Sequence, residues 1–186
     1  SSSPDLQVDL GGIKLANPIM TASGTSGYGP EYAPLFDINT LGGFVTKSVT
    51  LHERPGNPQP RTCETASGML NAIGLANVGL ERFCTEKVPF LSQLSIPTIV
   101  NVAGHEVSDY VKVCERLDEI DCIAGLELNV SCPNVADGLE WGTDAARLAS
   151  LVRDVRKVVS RTKLIVKLTP NTGDIVGLAK GAVDGG

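Results

Sequence analysis

The chain has 186 residues, 42% of them hydrophobic and 20% charged, which is enough apolar material for a sizeable core and too little charge for a disordered chain. A formal net charge of −5 gives no basic stripe for a phosphodiester backbone, which argues against nucleic acid as a partner. No apolar run approaches the roughly 20 residues that span a bilayer, and Ser1-Ser2-Ser3-Pro4-Asp5 lacks the basic and apolar segments of a secretion signal, so a cytoplasmic chain with no membrane partner is expected.

From the start, Leu6-Gln7-Val8-Asp9-Leu10 alternates apolar and polar, turns at Gly11-Gly12 and resumes with Ile13-Lys14-Leu15. That pattern predicts a tight hairpin, expected as a lid outside the main fold. Short apolar runs then predict strands near 19–22, 43–47, 97–102, 125–129 and 164–168, with helices between them. Such alternation is the signature of an α/β fold with a parallel sheet. Between Ser48 and about Asn77 no periodic element is evident, and Pro55, Pro58 and Pro60 are expected to prevent regular structure. A loop of that length in a compact domain is usually functional.

Two later segments have helical periodicity. Val107, Tyr110, Val111, Cys114 and Leu117 share one face, and after Asp144 so do Leu148, Leu151, Val152, Val155, Val158 and Val159, opposite Arg147, Arg153, Arg156 and Lys157. Both predict helices packed on a sheet. The five cysteines, at 63, 84, 114, 122 and 132, are odd in number and never spaced Cys-x-x-Cys, while His52 and His105 stand far apart, so reduced thiols and no metal are expected. Cys114, Cys84 and Cys122 are expected in the core, where a thiol behaves as a small hydrophobe. No linker or repeat divides the chain, and residues 1–186 are expected to lie within a single domain.

The predicted strands end in Ala22-Ser23-Gly24, Thr46-Lys47-Ser48, Asn101, Asn129 and Lys167. In a parallel α/β barrel the C-terminal strand ends converge on one mouth. Any single polar strand end is as easily explained by solvation. As a set, however, these ends hold lysine, amide and hydroxyl groups and no carboxylate, which suits neither a hard cation nor paired-carboxylate hydrolysis. They suit an anionic, hydrogen-bond-rich ligand, such as a flavin ring, whose reduced form is an anion, or orotate. Cys132 differs from the other cysteines because it lies in Asn129-Val130-Ser131-Cys132-Pro133-Asn134, just beyond a strand. It is expected to face the mouth as a nucleophile or a base, the alternative being an inert loop thiol.

Asn-Pro-Ile-Met-Thr-Ala-Ser-Gly-Thr at 17–25, Thr-Lys-Ser at 46–48, Gly-Asn-Pro-Gln-Pro-Arg at 56–61, Leu-Asn-Ala-Ile-Gly-Leu at 70–75 and Asn-Val-Ser-Cys-Pro-Asn at 129–134 resemble class 1 dihydroorotate dehydrogenases. The resemblance implies a (β/α)8 TIM barrel, of which this chain carries about the first five βα units plus the N-terminal hairpin. It implies FMN contacts from Ser23, Lys47, Ser48, Asn101, Asn129 and Lys167, and substrate contacts from Lys47, Asn71, Ala72, Ile73, Gly74, Leu75, Asn129 and Asn134. Cys132 would be the general base that takes the C5 proton of dihydroorotate while the C6 hydride leaves for the flavin. The 70–75 segment is more similar to the NAD-linked type than to the fumarate-using type, which implies an iron-sulfur FAD electron-transfer partner and a homodimer or heterotetramer. No Gly-x-Gly-x-x-Gly follows a strand, so NAD is expected on that partner. The quinone-linked class, with its amphipathic extension and serine base, is disfavoured. Because the family's phosphate loops belong to three further units, the chain is expected to be a piece of a larger enzyme. A flavin barrel acting on another dihydropyrimidine, and a non-catalytic barrel half, remain as alternatives.

Overall fold

The computed structural model describes residues 4–131 and 141–186. Strands β1 (Val8–Leu10) and β2 (Ile13–Leu15) pair antiparallel around Gly11 and Gly12, whose φ of 57° and 97° supply the left-handed turn that a hairpin this tight requires. The hairpin lies outside the main sheet but is no detached lid. Ile13 and Leu15 are buried against Val45 and Ile99, while β1 stays exposed.

The chain continues with β3 (Phe44–Val45), a second hairpin of β4 (Thr62–Thr65) and β5 (Gly68–Asn71), and then β6 (Thr98–Val102), β7 (Ile123–Asn129) and β8 (Lys163–Lys167). Strands β3, β6, β7 and β8 form one sheet in that order, and every pairing in it is parallel. The fold is therefore α/β with a parallel sheet, as the alternation predicts. Four strands build it, and among the described residues the sheet stays open.

Two expectations need correction. The strand expected near 19–22 reduces to a single parallel bridge between Met20 and Gly43. There the Thr21 hydroxyl takes the place of a backbone ladder, accepting from Val45 N at 2.8 Å and donating to Val45 O at 3.0 Å. The long loop is not devoid of regular structure either, since β4 and β5 pair within it. Both strands are exposed along their whole length, so neither carries the apolar alternation that marks a half-buried strand.

After the loop, α1 (Gly79–Arg82) and α2 (Val88–Leu91) flank a wider π turn at Phe83–Lys87, just ahead of Pro89, which has no N–H to donate. Helix α3 (Val107–Asp118) opens on a capping box between Glu106 and Asp109. Helix α4 (Ala145–Arg156) opens on Asp144, whose carboxylate accepts from Ala146 N and Arg147 N. Helix α5 (Ile175–Gly185) opens on Asp174 in the same manner. None of these helices is long and apolar enough to cross a membrane.

Strand alternation sorts the core into two clusters. Phe44, Val100, Val102, Leu126 and Leu128 face the helices, packing with Val113, Leu117, Leu148, Leu151 and Val155 from the predicted faces of α3 and α4. Burying each such leucine contributes about 2 kcal/mol. Val45 and Ile99 point the other way, into the small cluster closed by β2. Cys114 is fully buried as expected, and burial, helped by the nearby Asp118 charge, pushes its thiol up to about 12. Cys84 and Cys122 are only half-buried at the edge of the larger cluster, a correction to their expected place inside it, although burial still raises both thiols.

Candidate active site

The inner face of the sheet changes character along its strands. Ile99 is followed two residues on by Asn101, Gly125 by Glu127 and Asn129, and Ile165 by Lys167, with Asn101 and Glu127 paired in register. Because side chains alternate, these residues share one face, apolar at the N-terminal ends and polar at the C-terminal ends.

A cavity of about 690 Å³ opens at the polar end. Lys47 and Ser48 reach it from beyond β3, Asn129 from β7 and Lys167 from β8, with Ser23 and Gly24 at its edge. The opposite wall is Asn71, Ala72, Ile73, Gly74 and Leu75, together with Asn57. Residues as far apart in sequence as Ser23 and Lys167 thus meet on one cavity. Cys132 and Asn134 lie outside the described residues.

The loop wall is held by backbone contacts. Asn57 N donates to Ile73 O at 3.0 Å, Asn57 Nδ2 to Ala72 O at 2.8 Å, and Ala72 N to Arg61 O at 2.8 Å. Gly74 and Leu75 both take left-handed φ, 74° and 57°. A Cβ on Gly74 would stand 2.7 Å from Asn57 N, so glycine is required there. Leu75 holds that conformation with a side chain present, which costs on the order of 1 kcal/mol.

Asn101 is placed differently from the other expected ligand residues. It is fully buried behind the cavity wall, where Ser48 Oγ donates to its Oδ1 at 2.5 Å and its Nδ2 donates to Glu127 Oε1 at 2.6 Å. Glu127 also stands 3.9 Å from Lys167 Nζ. The expectation of a mouth free of carboxylates is therefore corrected. The last residue of each strand says nothing of the carboxylate, whereas Asn129 pointing inward already implies that Glu127, two residues earlier, does so too. One carboxylate is still no pair, and among the described residues no His, Cys, Asp and Glu cluster fit for a metal exists.

Two buried tyrosines support the site from outside the sheet. Tyr28 Oη donates to Ser48 O at 2.9 Å, and Tyr110 Oη on α3 donates to Asn129 O at 2.9 Å. Burial pushes the Tyr28 hydroxyl up to about 12, so it stays a donor across the working pH range. The sequence shows Tyr110 only as part of an apolar helix face, with nothing local to announce its partner 19 residues on.

Residues 5–186 match the family model for dihydroorotate dehydrogenase. The chain belongs to the dihydroorotate dehydrogenase family. Three relatives in it, all named dihydroorotate dehydrogenase B (NAD(+)), catalytic subunit, illustrate the likeness. The Pelobacter propionicus protein is 51% identical over 184 residues, which cover 98% of this chain and 60% of the relative. That of Geotalea daltonii is 47% identical over 186 residues, covering 100% and 61%, and that of Geobacter metallireducens 48% over 182 residues, covering 97% and 59%. The chain spans about 60% of the length of these dihydroorotate dehydrogenase relatives.

Proposed function

We propose that this protein oxidises dihydroorotate to orotate with FMN at the C-terminal end of a (β/α)8 barrel, as the catalytic subunit of a cytoplasmic, NAD-linked enzyme with an iron-sulfur FAD partner. The observation that carries this reading is the meeting of Lys47, Asn129, Lys167 and the 71–75 wall on one cavity, in a chain of this family. The donor set fits the cofactor: two ammonium groups, an amide and the Ser23 hydroxyl suit a planar ring system with polar edges and an anionic reduced form. The cavity volume, about 690 Å³, is within the usual range for such ligands. FMN, when bound, supplies the hydride acceptor.

The remaining chemistry falls to this chain's residues. Lys47 and Lys167 offer positive charge toward the substrate carboxylate and the reduced ring. Asn129, its carbonyl held by Tyr110 and its Oδ1 accepting from Ser131 Oγ at 2.7 Å, presents an amide of fixed orientation. The 71–75 wall supplies amides for the pyrimidine edge. Cys132 removes the C5 proton of dihydroorotate. In the full-length protein, anaerobic dihydroorotate should bleach bound FMN, and dihydrouracil should not. Cys132→Ala should slow that bleaching roughly 100-fold while leaving FMN bound. Flavin that dihydroorotate cannot reduce would sink the function, and near-normal single-turnover reduction in the alanine variant would sink the role of Cys132.

A further inference from the structure

Glu127 is a carboxylate for which the chemistry above has no use, yet it stands in the middle of β7, paired with Asn101 on one side and Ile165 on the other. Its side chain is only 16% exposed. Leaving a charge at such depth is costly unless it is paired and hydrogen-bonded. Here it has two partners, Asn101 Nδ2 at 2.6 Å and Lys167 Nζ at 3.9 Å, both on the same oxygen.

The first contact fixes a direction. An asparagine amide donates from one end and accepts at the other, and an ionised carboxylate can only accept. With Glu127 beside it, Asn101 must turn its NH₂ inward and leave its oxygen for Ser48, which donates to it at 2.5 Å. Ser48 is itself held through its carbonyl by Tyr28. The second contact sets a charge. Lys167 alone would favour an anionic ring at the mouth, and a carboxylate 3.9 Å from its ammonium opposes that preference.

We propose that Glu127 is a positioning residue that orients Asn101 and Lys167 and whose negative charge lowers the reduction potential of the flavin held at this mouth. The inference rests on the flavin reading above. It gives a function to the sheet's one inward carboxylate among the described strand residues, which keeps Lys167 from over-stabilising the reduced flavin, a species that must pass its electrons on.

The test is spectroelectrochemical titration of the full-length, FMN-reconstituted protein. Glu127→Gln keeps an acceptor for Asn101 Nδ2 and removes the charge. It should raise the midpoint potential by about 30 mV, equivalent to a tenfold change in the ratio of affinities for oxidised and reduced flavin in a two-electron couple. Glu127→Ala removes the acceptor as well, and FMN should dissociate from it about tenfold more readily than from Glu127→Gln as Asn101 turns. An unchanged potential in Glu127→Gln overturns the charge role. Equal FMN affinity in the two variants overturns the orienting role, and should the alanine variant not fold, the potential of the glutamine variant still decides. Wild-type protein that binds no FMN would overturn the flavin reading and this inference together, whereas bound FMN with an unmoved potential overturns this inference alone.

Discussion

Asn77 closes the base of the long loop with four side-chain hydrogen bonds. Its Oδ1 accepts from Thr50 N, Thr50 Oγ1 and Gly79 N, and its Nδ2 donates to Leu75 O at 2.9 Å. Backbone bonds to Arg54 in both directions complete the clasp. Because the side chain is buried, its loss strands several partners away from water. Asn77→Ala should cost roughly 2–3 kcal/mol in denaturant unfolding, and hydrogen exchange should speed up at the amides of residues 71–75. Asn77→Asp keeps the acceptor for three of the four contacts and should do less harm. Equal exchange rates in wild type and Asn77→Ala would show that the wall is held by its own backbone contacts. The importance of Asn77 was not legible in the sequence: it marks only where the loop ends, whereas its side chain reaches back to Thr50 near the loop's start and forward to Gly79 beyond its end. Glu127 was legible in principle, through the two-residue period that also turns Asn129 inward.

At the scale of elements, Asp118 ties the end of α3 to the turn before β8. Its carboxylate accepts from Ser160 N, Arg161 N, Thr162 N and the Thr162 hydroxyl, at 2.7–3.2 Å. Burial by itself pushes the carboxyl up, but the hydrogen bonds from Ser160, Thr162 and Arg161 outweigh it and hold the group well below the ordinary carboxylate range. A depressed folded value means that the unfolded chain takes up the proton more readily. The stabilisation is therefore complete above about pH 5 and fades as pH falls below the unfolded value near ~3.9 toward the folded one. Asp118→Asn should lower stability at neutral pH by roughly 2–4 kcal/mol and flatten the acid limb of the stability curve below about pH 4. A variant as acid-sensitive as wild type would rule this clamp out. The strands of the sheet were legible because they are short apolar runs, buried on both faces in β3 and β6, and α3 and α4 because their apolar stripes repeat at helical spacing. Asp118 resembled a solvated charge at a helix end, since its partners lie 42–44 residues downstream. The β4–β5 hairpin left no pattern because neither of its faces is buried.

At the scale of the whole molecule, the feature that sets behaviour in water is the apolar side of α5. Ile175, Val176 and Val183 are 49%, 62% and 77% exposed, and they flank Leu168 and Ala179 in one apolar hollow beside β8. Strand β8 pairs on only one side among the described residues, so its outer edge is open to a further strand next to that hollow. Exposed apolar surface beside an open strand edge is a template for association. The polypeptide of residues 1–186, expressed alone, should therefore self-associate in a concentration-dependent way and bind a hydrophobic dye such as anilinonaphthalene sulfonate. Val176→Asp combined with Val183→Asp should reduce both, because burying two unpaired carboxylates in the contact would cost several kcal/mol, on the order of 2 or more for each. Sedimentation velocity gives the reading. A wild-type polypeptide that stays monomeric at high concentration without binding dye would mean that this face is satisfied within the chain itself, and the double variant should then behave no differently from it.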